Sequence, residues 1–246
     1  MAQSLHSAGQ KKVAVFDFVG PGQTITALGA KLADDFSLAL SKSDGHPHVE
    51  DRASLAQRMT KMDYEPEDSI DPESVLAFAR FLKLNAAVLG TIARDGDQVR
   101  LSVRAVQVGD KGATVIDSTG AMIAVSDENT KLMQAYIARP EADAGVDKSF
   151  PVAGKGGITF PKCVYCPPAQ YSEPARLVKF QGTVTLNAVV TEDGRAADIK
   201  VVKRAPFGLA NAAVETIQQW KFEPAKDRDG RPVAVRQFIE VSFHLY

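Results

Sequence analysis

Two cysteines three positions apart are the most chemically distinctive residues of this 246-residue chain. Cys163 and Cys166 are followed at once by Pro167 and Pro168. Thiols at this spacing could form a local disulfide or structural pair, remain inert, or carry redox or metal chemistry. A redox pair needs its first cysteine at a helix N-terminus, whereas consecutive prolines favour an extended segment, and two thiols cannot complete a four-cysteine zinc site. The pattern therefore favours a local disulfide or a structural pair of thiols without excluding the other two interpretations.

Two further motifs could bind ligands, but each lacks the partners that its chemistry needs. His46 and His48 lie in a loop without cysteines or carboxylates at metal-ligand spacing, which favours a surface pair. Gly20 and Gly22 separate a predicted strand from a predicted helix, but no Gly-Lys-Ser/Thr follows and the dinucleotide-binding spacing fails. No Gly-x-Ser-x-Gly nucleophile motif occurs. We expect a protein that is not an enzyme, with no catalytic residue, metal or cofactor.

Composition and charge exclude several other classes of protein. Lysine and arginine total 29 against 30 aspartates and glutamates, so the basic excess typical of nucleic-acid binding is missing. Hydrophobic residues make up 45% of the chain, enough for a folded core. No run approaches the roughly 20 apolar residues of a membrane helix, and no export signal is visible at Met1. That beginning fits either a native start or a chain that follows a removed signal or anchor.

The first part of the chain predicts a mixed α/β domain over residues 12–138, after a flexible lead-in over residues 1–11. Asp71 and Pro72 are typical of a helix start, and Asp95 and Gly96 of a hairpin turn. The predicted elements are strands at residues 13–18 and 49–51, helices at 28–40, 55–62, 72–82 and 129–138, and three strands between residues 86 and 125.

The last part of the chain predicts a second domain over residues 168–246, after a linker at residues 139–167 that is rich in glycine and proline and contains both cysteines. Alternating apolar residues predict two strands joined at Gly194, a helix ending near Trp220, and a final strand. This ββαβ order predicts a three-stranded antiparallel sheet with a helix on one face. The fold class of the whole chain is therefore α+β.

Motifs of this second domain occur in a familiar order. They include residues 181–184 before the first strand, residues 190–195 at the hairpin, residues 220–225 after the helix, and residues 230–233 before the last strand. Together they resemble the C-terminal domain of TonB, the energy transducer. Residues 12–18, 49–52 and 86–92 are similar to the α/β domains of TolB-like and flagellar or curli assembly lipoproteins. The motifs are those of turns and core positions, so they specify a fold and not a reaction.

The resemblance implies a binding function in the periplasm or cell envelope. A TonB-like domain would capture the TonB box, a short peptide of an outer-membrane TonB-dependent receptor, as an added strand beside its last strand and so support transport. The residues of that edge are Val235, Arg236, Gln237, Phe238, Ile239, Glu240, Val241, Ser242 and Phe243.

Energy transduction would need more than this domain. The family's transducers carry a membrane anchor and a long proline-rich spacer, and neither occurs in this sequence, so an inner-membrane motor complex becomes a partner only if an anchor lies upstream. The alternative is an envelope structural or assembly protein that uses the same sheet edge for protein–protein association without transducing energy. No nucleic-acid partner is expected, and the oligomeric state stays open.

Overall fold

The computed structural model describes residues 1–45, 47–109, 113–138 and 149–245. The chain divides into two compact units, Met1–Pro140 and Glu141–Tyr246. Helices and sheets occur in both units, which confirms the predicted α+β class.

The first unit contains five α-helices, a 3-10 helix and eight strands among its described residues. The helices are α1 (Ala2–Ser7), α2 (Ala27–Ser41), α3 (Arg52–Lys61), α4 (Pro72–Phe81) and α5 (Asp127–Gln134), with the 3-10 helix at Pro66–Ile70. The strands are β1 (Lys12–Val15), β2 (Val19–Gly20), β3 (Thr24–Thr26), β4 (His48–Val49), β5 (Ala86–Asp95), β6 (Gln98–Val108), β7 (Ala113–Ala124) and β8 (Tyr136–Ala138).

These eight strands form one mixed sheet. β5 pairs with β1 and β2 in parallel on one side and with β6 in antiparallel along its whole length on the other. β6 then pairs with β7, which completes the predicted meander and leaves β7 at the end of the sheet. The predicted cap of α4 is confirmed, because the backbone N–H of Ser74 donates to the Asp71 carboxylate at 3.0 Å.

Two predictions for the first unit are wrong. Residues 2–7 of the predicted flexible lead-in form α1, because Leu5 is fully buried in the hydrophobic core of the unit. The helix predicted over residues 129–138 ends at Gln134, and residues 136–138 instead form β8, which pairs with β3. In both places a contact with a distant strand or core residue overrides the local sequence pattern.

The second unit contains a three-stranded antiparallel sheet of order β11-β10-β15, as predicted. Its helices are α6 (Glu173–Val178) and α7 (Leu209–Gln219). Its strands are β9 (Lys162–Tyr165), β10 (Gly182–Val190), β11 (Ala196–Lys203), β12 (Lys221–Glu223), β13 (Ala225–Lys226), β14 (Pro232–Val233) and β15 (Val235–Phe243). α7 packs against β10 and β11 through the buried side chains of Leu209, Ala213 and Ile217.

The segment predicted as a linker also differs from expectation. Residues 139–148 lie outside the described residues, but residues 149–167 belong to the second unit. β9 pairs with β12, and the backbone N–H of Thr159 donates to the carbonyl oxygen of Lys226 at 2.9 Å. Because the backbone groups of these residues form hydrogen bonds with the rest of the second unit, the residues are part of its structure.

Candidate functional site at the edge of β15

β15 lies at one edge of the second unit's sheet and contains all nine residues of the predicted binding edge. It pairs with β10 from Val235 opposite Val190 to Phe243 opposite Gly182. In an antiparallel strand, the N–H and C=O of one residue point to the same side, and successive residues alternate between the two sides. The strand therefore divides into residues that bond to β10 and residues whose backbone groups face away from it.

Arg236 identifies which residues face away. Its N–H donates to the carbonyl oxygen of Pro151 at 2.8 Å, and its C=O accepts from the N–H of Ala153 at 3.0 Å. Since Arg236 bonds outside the sheet, Phe238, Glu240 and Ser242 also direct their N–H and C=O groups outward. Among the described residues, none provides a backbone partner for those three.

The segment at Pro151 and Ala153 limits the free edge. It forms a parallel bridge to β15 through Val152 opposite Arg236, so the first outward-facing position of the strand is occupied. This bridge could not be predicted from the sequence, because the segment around Val152 has no strand periodicity. The open edge therefore runs from Phe238 to Ser242.

The side chains of β15 alternate in the same way. The side chains of Ile239, Val241 and Phe243 are buried, whereas Glu240 and Ser242 are exposed. Phe238 is 64% exposed, which is unusual for a large aromatic side chain in the middle of a strand. An incoming strand would find unpaired backbone groups and an aromatic ring at the same place.

Asn187 lies across the strands from Phe238. The two residues are directly paired in the β10–β15 register, and the Asn187 side chain is 3% exposed. Its Oδ1 has no hydrogen-bond partner among the described residues. A buried acceptor without a donor is rare in folded proteins and lowers stability, so Asn187 is a locally destabilising residue of the sheet.

The hairpin between β10 and β11 depends on Gly194. This glycine has a φ of +77°, and a Cβ added there would lie 1.9 Å from the carbonyl oxygen of Phe222. The Phe222 N–H also donates to the Gly194 carbonyl at 2.8 Å, which joins the hairpin to β12. Beside it, the Thr191 hydroxyl donates to Asp193 and holds the pKa of that carboxyl below its ordinary value. The hairpin is a structural element that fixes β10 for its pairing with β15.

The cysteines lie on a different part of the unit. A disulfide joins Cys163 to Cys166, with 6.0 Å between their Cα atoms. All four residues of β9 are exposed, and the strand pairs with β12 and not with β15. Trp220 is half-buried, and its Nε1–H donates to the carbonyl oxygen of Pro167 at 2.9 Å. The indole therefore anchors the segment that follows the disulfide.

The other candidate ligands do not meet at a common site. His48 lies in β4, and His46 falls outside the described residues. Gly20 lies in β2, and Gly22 adopts a φ of +69° in the turn before β3. In the part of the chain that the structure describes, no three histidine, cysteine or acidic side chains group as metal ligands would. No helix of the described ranges is long and apolar enough to cross a membrane.

The second unit agrees with a known family in sequence as well as in fold. Residues 167–245 match the family model described as the Gram-negative bacterial TonB protein C-terminal. The second unit contains a TonB C-terminal domain. This TonB C-terminal domain begins beside the disulfide and includes the whole of β15, which confirms the resemblance seen in the motifs. It is a protein-interaction domain of the Gram-negative cell envelope.

Several solved structures are similar to parts of this chain at low sequence identity. The TonB C-terminal domain of Pseudomonas aeruginosa is 23% identical, with 39% of this chain and 95% of that chain covered and a TM-score of 0.32. The LpoB C-terminal domain of Salmonella enterica is 13% identical over 50% of this chain and 96% of that chain, with a TM-score of 0.36. Lipoprotein GNA1162 of Neisseria meningitidis is 13% identical over 48% and 82%, with a TM-score of 0.37. No curated protein matches the chain.

Proposed function

We propose that this protein is a periplasmic binding protein that captures a segment of an outer-membrane receptor by β-strand addition to β15. The observation that carries the proposal is the row of outward-facing backbone groups at Phe238, Glu240 and Ser242. An extended peptide that pairs there would satisfy the N–H and C=O of all three residues. The TonB C-terminal family makes the TonB box of a TonB-dependent receptor the expected peptide.

The short edge supports a modest affinity. Each backbone hydrogen bond contributes about 0.5–1.5 kcal/mol net, and the ordering of a flexible peptide offsets part of that gain. Main-chain pairing alone also carries little sequence information, because every peptide presents the same groups. Specificity must therefore come from side chains beside the edge.

Phe238 is the side chain best placed to provide that specificity. It lies at the start of the open edge and is 64% exposed, so a hydrophobic side chain of the peptide could cover its ring. Exposed aromatic residues that become buried on binding often contribute most of the binding energy of an interface. Glu240 lies two residues away and would disfavour an acidic peptide residue at its side.

We further propose that binding of the receptor segment supports transport across the outer membrane. Energy transduction would require the domain to be linked through a membrane anchor to an inner-membrane motor complex. We assign β15 a binding role and no catalytic one. We also propose that the protein is not an enzyme.

The proposal can be tested with a backbone substitution and a matched control at one position. Glu240→Pro removes an outward N–H without removing a bond to β10, whereas Glu240→Gln keeps that N–H and changes only the side chain. Binding of a fluorescent TonB-box peptide should weaken roughly tenfold in E240P and change by less than about threefold in E240Q. Equal affinities for E240P and the unchanged protein, with both folded, would exclude strand addition at this edge.

Self-association through β15 is the second candidate, and the exposure of Phe238 favours it. A free aromatic ring on an edge strand can pair with a second copy as well as with a peptide. In that case Phe238→Ser should shift sedimentation toward the monomer, and peptide should compete with dimer formation. A TonB-box peptide that binds without changing the sedimentation coefficient would separate peptide capture from self-association.

A further inference from the structure

β7, the last strand of the first unit's meander, has an edge of a different kind from β15. Ser118, Thr119, Gly120, Ala121 and Met122 are all exposed, so both faces of the strand are wet in this stretch. No lysine, arginine, proline or acidic residue occurs between positions 118 and 124. Natural sheets usually protect a long edge with such residues, because an unprotected edge pairs with another chain.

Two hydrogen bonds, one at each end of β6, determine which backbone groups of β7 face outward. The N–H of Val108 donates to the carbonyl oxygen of Asn85, on the β5 side, at 2.9 Å. The N–H of Val125 donates to the carbonyl oxygen of Asp97 at 3.0 Å. With the β6–β7 register, this alternation turns residues 119, 121 and 123 toward β6. The backbone groups of residues 118, 120, 122 and 124 therefore face away from the sheet.

Two of these outward-facing backbone groups already form hydrogen bonds within the first unit. The N–H of Ser118 donates to the Asp117 carboxylate at 2.7 Å, and the C=O of Ala124 accepts from the Asn129 side chain at 3.2 Å. For the remaining outward groups, the described residues provide no partner. The free groups are thus the C=O of Ser118, both groups of Gly120 and Met122, and the N–H of Ala124.

We propose that β7 pairs with β7 of a second copy of this chain, in antiparallel and with Ala121 on the two-fold axis. In this register Gly120 faces Met122 of the other copy, and Ser118 faces Ala124. The two groups that are already satisfied, the Ser118 N–H and the Ala124 C=O, then face each other. Every free outward group from 118 to 124 gains a partner, which gives six intermolecular hydrogen bonds by this pairing rule.

This register is specific, because a shift in either direction places a free backbone group opposite one that already has a partner. If Gly120 faced its own copy, the satisfied N–H of Ser118 would face the free C=O of Met122. If Met122 faced its own copy, the satisfied C=O of Ala124 would face the free N–H of Gly120. Each shifted register therefore leaves two free groups without partners, and a buried polar group without a partner destabilises the pairing.

Side chains support the same pairing. Met122 is 49% exposed and would lie beside Gly120 of the other copy on one face of the joined sheet. The missing side chain at Gly120 leaves room for the thioether of Met122. Unlike β15, where Arg236 and Glu240 are present, the paired stretch has no charged side chain to oppose a second copy. Each two-fold contact is self-complementary, as a symmetric dimer requires.

A cysteine on the axis tests this register directly. In the proposed dimer, the two copies of residue 121 form a non-hydrogen-bonded pair with Cβ atoms about 4.5–5.5 Å apart, close enough for a disulfide after a small adjustment. The two copies of residue 124 lie about 20 Å apart along the strands. Ala121→Cys in the full chain should cross-link under mild oxidation, whereas Ala124→Cys should yield roughly tenfold less. Cys163 and Cys166 are already joined and do not compete.

A charge substitution provides an independent measurement. Met122→Lys would place two ammonium groups near each other on one face of the dimer, and sedimentation should show dimerisation weakened roughly tenfold. Val115→Lys is the matched control, since it adds the same charge at a 52% exposed site of the same strand outside the paired stretch. A strictly monomeric unchanged protein, or equal cross-linking of A121C and A124C, would overturn the proposal. Cross-linking also decides it if M122K fails to fold.

Discussion

The backbone N–H of Arg236 donates a 2.8 Å hydrogen bond to the carbonyl oxygen of Pro151, on the side of β15 that faces away from β10. The Arg236 carbonyl is held by the Ala153 N–H from the same segment. Ala153→Pro removes that donor, so the segment should detach more often and the Arg236 amide should exchange with solvent roughly tenfold faster. Amide hydrogen exchange measured by NMR gives this rate directly.

The control for that substitution is Ala153→Gly, which keeps the N–H and removes only a methyl group. Its Arg236 amide should exchange within about threefold of the unchanged rate. If A153P and A153G exchange alike, the segment does not close the start of the edge, and the binding strand could extend from Arg236.

Gly194 should be sensitive to substitution for a reason that Gly230 does not share. Both have a positive φ, but a Cβ at Gly194 would lie 1.9 Å from the Phe222 carbonyl oxygen, whereas one at Gly230 would meet no atom within 4 Å. Gly194→Ala should lower the free energy of unfolding by about 2–4 kcal/mol, and Gly230→Ala by about 1 kcal/mol. Trp220, the only tryptophan, reports urea unfolding of the second unit by fluorescence. Equal losses would show that the backbone can move away from Phe222.

Asn187 should tolerate an apolar replacement in spite of its burial. Its Oδ1 has no partner in the described structure, so Asn187→Leu removes an unsatisfied group and keeps the branched shape of the side chain. We expect the free energy of unfolding to stay within about 0.5 kcal/mol or to rise by about 1–2 kcal/mol. Asn187→Ala, which leaves a cavity, should be less stable than Asn187→Leu. A loss above about 1 kcal/mol in N187L would mean that the amide makes a stabilising contact.

The disulfide should affect stability and not binding. Closing so short a loop stabilises by about 2 kcal/mol in the chain-entropy model, so the double substitution of Cys163 and Cys166 by serine should lose about that much. Because β9 pairs with β12, the affinity for the TonB-box peptide should be unchanged. The protein should also show no disulfide reductase activity. Measurable reductase activity that disappears in the double variant would assign the pair a catalytic role.

The sequence predicted the second unit well where short-range patterns determine structure. Alternating residues specified β10, β11 and β15, and Gly194 marked the hairpin between β10 and β11. The helix predicted to end near Trp220 is α7, which ends at Gln219. These signals are local, because a strand or helix repeats its buried side within a few residues. The edge strand was expected from the resemblance to the TonB C-terminal domain, and in the structure it lies beside β10.

What the sequence did not predict depends on contacts between distant segments. The bridge from Val152 to Arg236 and the pairing of β9 with β12 join segments far apart in the chain, and neither leaves a periodic pattern. The burial of Leu5 turns a short polar stretch into α1 for the same reason. The unpaired Oδ1 of Asn187 is likewise visible only when the surrounding atoms are placed.

A peptide that pairs with the outward-facing groups of β15 should protect their amides, so hydrogen exchange with and without a TonB-box peptide distinguishes this pairing from binding elsewhere. Without peptide, the amides of Phe238, Glu240 and Ser242 should exchange fast, whereas those of Ile239 and Val241, which bond to β10, should exchange slowly. Saturating peptide should slow the first three roughly tenfold or more and leave the other two nearly unchanged. Peptide that binds without slowing exchange at Phe238, Glu240 and Ser242 would contradict the account.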